Sequence, residues 1–137
     1  MIVQFEVRIV PPSQNKMRYK SYAIRKEVKV KSELFQSVIR DNFEFQRLKS
    51  TFNPEKECLE IVIRYRGPHL NKKGLPSSKS VDITNFEKWI IDEITLPSKS
   101  DSLQVDDKCV FLLHSMKELA SEPSLFIEIR NHALPSN

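Results

Sequence analysis

Apolar and polar residues alternate at the start of the chain. The apolar positions of this pattern are Val3, Phe5, Val7 and Ile9. A period of two predicts a strand with one buried face, and Pro11-Pro12 must end it. Further apolar segments predict three more strands, at residues 58–65, 110–116 and 125–130.

Two other segments have the spacing of amphipathic helices. Between residues 25 and 49, apolar side chains recur at intervals of three and four, which favours helix from about Lys31 onward, whereas residues 28–30 also fit an extended segment. A second helix is predicted from Asp82 or Thr84 to Ile94, because its apolar residues share one arc. The predicted class is therefore α/β, of the mixed α+β type, with the order β-α-β-α-β-β.

A long loop separates the second strand from the second helix. Residues 66–80 contain both glycines of the chain and two prolines, and loops of this length are usually functional or mobile. Residues 98–102 look like an inserted loop. We expect residues 1–131 to form one domain and residues 132–137 to form a flexible C-terminal tail.

Length and composition narrow the class of protein. A chain of 137 residues fits one domain. No stretch approaches the roughly 20 apolar residues of a membrane span, and the first residues lack the layout of a signal peptide, so we expect a cytoplasmic protein that does not bind membranes. Cys58 and Cys109 are far apart, which argues against a zinc site or a disulfide framework and favours buried free thiols.

Charge is distributed unevenly along the chain, whose net charge is +4. Between Arg8 and Lys31 there are eight basic residues and one acidic residue, and residues 64–79 contain five basic residues and no acidic one. Residues 82–107 reverse the sign, with seven acidic and two basic residues. A solvated surface explains such runs, but carboxylates surrounded by basic residues are also what a metal-dependent phosphodiesterase needs.

The first polar segment with candidate chemistry is the predicted start of the second helix. Asp82, Thr84 and Asn85 lie there, and a helix start tolerates anions. Capping is the competing interpretation, because Thr84 with Glu87 three residues later fits a capping box and Asp82 fits a cap or a turn.

Asp106 and Asp107 form the second polar segment, directly ahead of the third strand. An adjacent acidic pair commonly lies in a solvated turn. Mg²⁺, however, prefers hard oxygen ligands and typically takes one or two protein carboxylates, with waters and phosphate oxygens completing its coordination. We therefore expect Asp82 and this pair to come together within reach of one Mg²⁺ ion.

Taken together, the order and spacing of these segments resemble the RusA family of Holliday junction resolvases. The matching positions are Pro11-Pro12-Ser13-Gln14-Asn15, Asp82, Asn85, Lys88, Asp92, Asp106-Asp107, Val110, Lys117 and the closing strand. The resemblance implies a single RusA-like domain with a mixed sheet. It also implies a Mg²⁺-dependent homodimer that binds four-way DNA junctions and cuts them in recombination and repair.

The resemblance also implies roles for individual residues. The implied metal ligands are Asp82, Asp106 and Asp107, and the implied catalytic residues are Asp82, Asp107 and Lys88, with Asn85 holding the helix start. The chain departs from the family at Thr84, where the family pattern has a second acid, and losing that acid weakens Mg²⁺ binding. Because residues 98–102 are longer than the usual connection, Asp101 is a candidate replacement.

The expected DNA-binding residues lie in the two basic stretches that precede the acidic segment. They are Asn15, Lys16, Arg18, Lys20, Lys72, Lys73 and Lys79, which would hold the backbone by shape and charge. Tyr19 and Tyr22 fit base stacking or a solvated hairpin, and Trp89 fits a subunit contact or the core. The three scattered histidines are interpreted as ordinary surface or core residues.

Three functions fit these features. The leading hypothesis is a Mg²⁺-dependent, structure-selective DNA endonuclease, and the second is a junction-binding protein of the same fold without useful turnover, which Thr84 favours. The third is an RNA-binding module whose acidic residues only cap and turn the chain. Magnesium dependence separates the first from the other two.

Overall fold

A four-stranded sheet forms the frame of the protein, whose computed structural model describes residues 1–14 and 21–135. The strands are β1 (Ile2–Val7), β2 (Glu57–Gly67), β3 (Val110–Leu119) and β4 (Ser124–Ala133), in the spatial order β1-β4-β2-β3. Strand β4 is antiparallel to both β1 and β2, whereas β3 is parallel to β2. The predicted mixed α+β class and the mixed sheet are therefore confirmed.

Three α-helices accompany the sheet within the described residues: α1 (Tyr22–Arg40), α2 (Phe43–Thr51) and α3 (Ile83–Thr95). The sequence predicts one helix from about Lys31, whereas the structure has a helix that starts earlier and a second helix after a break. Helix α1 begins earlier because the Ser21 hydroxyl caps it by accepting from the Ile24 amide, so residues 28–30 are helical. A break follows at Asn42, whose side chain accepts from the Phe45 amide and starts α2.

The helices cover one face of the sheet and form the core with it. Strands β1, β2 and β4 contribute alternate residues, which are Val3, Phe5, Val7, Leu59, Ile61, Ile63, Leu125, Ile127 and Ile129. The helices contribute large apolar side chains that include Phe35, Phe45, Phe86 and Ile90. Trp89 is only 3% exposed and packs edge-on against Phe35 at 5.6 Å, so it belongs to the core.

The chain directions bring three strand ends together. Because β1 and β2 are both antiparallel to β4, and β3 is parallel to β2, the carboxyl ends of β1, β2 and β3 lie at one end of the sheet. The segment at Pro11-Pro12, the loop before α3 and the end of β3 therefore meet there. We call this the carboxyl end of the sheet.

Strand β4 extends further than the sequence indicates. It includes His132 and Ala133, which were expected to lie in the tail, and the Leu134 amide donates to the Lys56 carbonyl at 2.8 Å. Residues 136–137 of that predicted tail lie outside the described residues. Cys58 is buried and Cys109 is half-buried, and both are free thiols.

No helix in the described part of the chain combines the length and the apolar character needed to cross a membrane.

Candidate functional site

Helix α3 begins at Ile83, with Asp82 as its N-cap residue. The Asp82 side chain is exposed and makes no capping hydrogen bond. Thr84 is the second residue of the helix and is also exposed. The competing interpretation, a capping box formed by Thr84 and Glu87, is therefore wrong. The Glu87 carboxylate is turned toward β3 instead, where it accepts a hydrogen bond from the Ser115 hydroxyl at 2.8 Å.

Lys88, Asp92 and Asp107 form the main charged cluster beside α3. The Lys88 Nζ lies 2.8 Å from Asp92 Oδ1 and 3.0 Å from Asp107 Oδ2. Asp92 follows Lys88 by one helical turn, and a short 3₁₀ helix at Asp107–Cys109 places Asp107 against the same ammonium group. We call these three residues the Lys88 cluster.

Contacts within the Lys88 cluster shift the pKa values of Lys88 and Asp107. Hydrogen bonds to Asp92 and Asp107 raise the pKa of Lys88. The same ammonium group lowers the pKa of Asp107, so this carboxyl group stays ionised to lower pH than a free aspartate. The cluster therefore brings one lysine ammonium group into contact with two aspartate side chains.

Asp106 caps a turn, as expected for an adjacent acidic pair that lies in a solvated turn. Its Oδ1 accepts a hydrogen bond from the Lys108 amide at 2.9 Å and caps the 3₁₀ helix. The carboxylate is exposed and borders a cleft of about 240 Å³ that the Lys88 cluster also lines. Asp106 thus orients the turn that presents Asp107.

The three carboxylates expected to share a metal do not form one group. Within residues 1–14 and 21–135, no three or more His, Cys, Asp or Glu side chains are arranged to hold a metal ion. Helix geometry supplies the reason, because ten residues separate Asp82 from Asp92 and a helix rises about 1.5 Å per residue, or about 15 Å over that span. Asp107 contacts Lys88 and thus joins Asp92, while Asp82 lies at the helix start.

The donor chemistry of the Lys88 cluster nevertheless suits Mg²⁺. Asp92 and Asp107 supply two hard carboxylates that approach the same ammonium group, and Mg²⁺ commonly takes one or two protein carboxylates. The structure thus adds Asp92 to the candidate ligands. Sequence spacing could have identified it, because it lies at i+4 from Lys88.

Asp101 lies beside different elements from the Lys88 cluster. Lys49 of α2 donates a hydrogen bond to the Ser100 carbonyl, and Asp101 lines a cavity with Ser32 and Arg40 of α1. The inserted loop is therefore packed against α1 and α2. Asp92 contacts Lys88, whereas Asp101, the replacement ligand suggested by the sequence, lies beside α1.

The loop between β2 and α3 presents lysines at the carboxyl end of the sheet. The Asn71 side chain accepts from the amides of Lys73 and Leu75, and Gly74 adopts a φ of 76°, which glycine tolerates best. This turn exposes Lys72 and Lys73 at its tip. Lys79 is also exposed and borders a cavity lined by Pro11 and Pro12.

The other expected DNA-binding residues fall on the segment after β1. Asn15, Lys16, Arg18 and Lys20 lie outside the described residues, as does Tyr19. Tyr22 begins α1 and is exposed.

Sequence reasoning missed a hydrogen-bonded chain near the start of α3. His69 Nδ1 lies 2.7 Å from Ser80 Oγ, which also accepts a hydrogen bond from Lys117 Nζ at 2.9 Å. His69 Nε2 lies 2.8 Å from the Tyr65 carbonyl oxygen. No sequence signal links these groups, because the Ser80 partners are 11 and 37 residues away.

A second missed cluster lies on the open face of the sheet. His114 and His132 each direct Nε2 toward a different carboxylate oxygen of Glu60, at 2.9 and 2.8 Å. The hydrogen bond from His132, followed by that from His114, lowers the pKa of Glu60. Two of the three histidines set aside in the sequence therefore form a cluster on the face opposite the helices.

Comparison with protein-family models gives no match to this chain, and comparison with curated proteins gives none either.

Proposed function

We propose that the protein is a Mg²⁺-dependent, structure-selective endonuclease that cuts four-way DNA junctions, as its resemblance to RusA implies. The observation that carries the proposal is the 3.0 Å contact between Lys88 Nζ and Asp107 Oδ2. The resemblance assigns catalytic roles to these two residues, which are 19 positions apart in the sequence. Their contact supports a shared site.

Asp107 and Asp92 would hold Mg²⁺ at this site, whereas Asp82, about 15 Å from Asp92 along the helix axis, would not reach the same ion. The ion would supply Lewis-acid polarisation of the phosphate and a more acidic bound water. Lys88 would then turn its ammonium group toward the phosphate and stabilise the negative charge that develops there. Asp106 would orient the turn that carries Asp107.

The charge at the carboxyl end of the sheet supports a nucleic-acid substrate. Lys72, Lys73 and Lys79 are exposed, and none of them forms an ion pair within the described residues. Lysines without acidic partners attract phosphate backbones and release counterions on binding. Such contacts recognise shape and charge without reading bases, which suits a four-way junction.

A symmetric homodimer is part of the proposal, and strand β3 offers a surface for it. This strand lies at the edge of the sheet and exposes Phe111, Leu112 and Leu113 by 58%, 48% and 38%. An exposed apolar edge strand is a template for pairing with another chain, and pairing two copies antiparallel would satisfy a two-fold axis.

Sedimentation at micromolar concentration is expected to give twice the chain mass of 16.0 kDa. Leu112→Lys is expected to shift the protein to monomer, because it places a charge in the paired edge. Leu75→Lys, at an exposed leucine of the 66–80 loop, is the matched control and should remain a dimer. A wild-type monomer that still cuts junctions symmetrically would contradict this assignment.

A junction-binding protein without cutting activity is the second candidate. Two observations favour it: the Lys88 ammonium group lies between the two carboxylates that would hold the ion, and Thr84 adds no negative charge nearby. Both features weaken attraction for Mg²⁺.

A labelled synthetic four-way junction, incubated with and without Mg²⁺, tests the proposal. Symmetric cutting that requires Mg²⁺ is the expected result. Tight junction binding without cutting would favour the second candidate. Preference for a structured RNA over the junction, again without cutting, would favour an RNA-binding module and refute the nuclease.

A further inference from the structure

Lys117 places an ammonium group at the carboxyl end of the sheet, where no acidic residue of the described part of the chain pairs with it. It pairs with Tyr65 of β2 in register, and since Tyr65 is buried in the core, Lys117 emerges on the helix-covered face. The side chain is half-buried, and within residues 1–14 and 21–135 no carboxylate forms an ion pair with it. A partly desolvated cation of this kind is stabilised by any anion that can reach it.

Ser80 and His69 fix the direction of this ammonium group. His69 is 6% exposed, and its Nε2 must carry the hydrogen because its partner, the Tyr65 carbonyl, can only accept. In the neutral ring Nδ1 is then an acceptor, so the Ser80 hydroxyl donates to it. The lone pairs of Ser80 are left for Lys117, whose remaining N–H groups stay available to a ligand.

The position of this group suits a polyanion more than a small isolated acid. Ser80 immediately precedes Val81 and Asp82 at the start of α3, and the lysine-bearing 66–80 loop leads into it. Lys79 is adjacent in sequence and exposed. A chain of phosphates could therefore contact Lys117 together with the loop lysines.

We propose that Lys117, positioned by Ser80 and His69, binds a phosphate group of a nucleic-acid backbone beside the start of α3. The nucleic-acid ligand rests on the proposed function, but phosphate binding requires no cutting. Lysine acts here as a point charge whose contact releases a counterion. Ser80 and His69 are positioning residues, because they act through the ammonium group.

The salt dependence of binding to a labelled four-way junction, measured in EDTA so that nothing is cut, tests this proposal. Lys117→Met is expected to reduce the slope of log K against log salt by about 0.9, the value for one phosphate contact. Lys56→Met is the matched control, because Lys56 is an exposed lysine near the start of β2, at the other end of the sheet. Lys56→Met should keep the wild-type slope. Lys117→Arg, which retains the positive charge, should have a slope close to that of the wild type.

Ser80→Ala, made in the wild type and in Lys117→Met, tests whether Ser80 acts through Lys117. It is expected to weaken junction binding in the wild-type background and to have little further effect in Lys117→Met, because it acts only through the lysine. Equal effects in both backgrounds would overturn the positioning role. If Lys117→Met fails to fold by circular dichroism, Lys117→Gln replaces it, since glutamine can still donate to Ser80.

An unchanged slope in Lys117→Met would overturn the proposal, as would an equal loss in Lys56→Met. A reduced slope in a protein that never cuts with Mg²⁺ would support the phosphate site and refute the nuclease. If the protein binds no nucleic acid, inorganic pyrophosphate becomes the probe. An NMR shift of the Lys117 side chain that Ser80→Ala weakens would support phosphate recognition, and no shift at millimolar pyrophosphate would overturn it.

Discussion

Asp107→Asn is expected to lower Mg²⁺-dependent junction cutting by about 100-fold or more, while junction binding in EDTA stays close to that of the wild type. Outer-shell partners of a metal already contribute about 10- to 100-fold, and Asp107 is proposed as a ligand. An asparagine keeps the shape of the side chain but removes the charge that attracts the ion and holds Lys88 at 3.0 Å.

Folding should not obscure this result. The ion pair of Asp107 with Lys88 is about half exposed on both sides, and exposed pairs contribute little to stability. Asp41→Asn is the matched control, because Asp41 is an exposed aspartate paired with Arg40 at the end of α1. Its cutting rate should equal that of the wild type. Full activity in Asp107→Asn would remove this residue from the proposed mechanism.

The fold was largely predictable because its sheet has one buried face. The alternation of Val3, Phe5 and Val7 in β1 and of Leu125, Ile127 and Ile129 in β4 matches the residues that are buried. Strand β3 departs from that rule because none of its residues is fully buried, so only its apolar content indicated it. The start of α1 was missed because its first turns are exposed and charged, with little apolar periodicity.

Contacts in the candidate site were predictable only where the two residues are close in sequence or where the resemblance to the RusA family names them both. The resemblance named both Lys88 and Asp107, and the structure brings them into contact. The contact of Asp92 with Lys88 follows from their i,i+4 spacing, although the sequence analysis assigned Asp92 no role. The contacts of Ser80 with His69 and Lys117 depend on how β3 pairs beside β2, and no local pattern encodes that pairing.

The start of α3 carries little negative charge apart from Asp82. Asp82 is exposed and uncapped, no acidic residue lies in the first turn of α3, and Lys88 balances the carboxylates further along the helix. One carboxylate added a helical turn before Lys88 would therefore offset part of its positive charge. Position 84 is where the resemblance expects such a group.

Thr84→Asp is accordingly expected to raise Mg²⁺ affinity and any junction cutting, measured by metal titration and by the labelled-junction assay. An aspartate at position 84 lies one helical turn before Lys88, so its carboxylate would add negative charge next to the Lys88 cluster that would hold the ion. The side chain is exposed in the first turn of α3, where a negative charge is favourable by roughly 0.3–1 kcal/mol, so the helix should be slightly more stable.

Thr84→Asn is the matched control, because it is polar and close in size to aspartate but carries no charge. An inactive wild type whose cutting appears only in Thr84→Asp would identify a nuclease that has lost activity through one substitution. A wild type that already cuts well and is slowed by Thr84→Asp would show that another acid completes the site. Asp92 is then the residue to replace first, because it already shares Lys88 with Asp107, whereas Asp101 lies against α1.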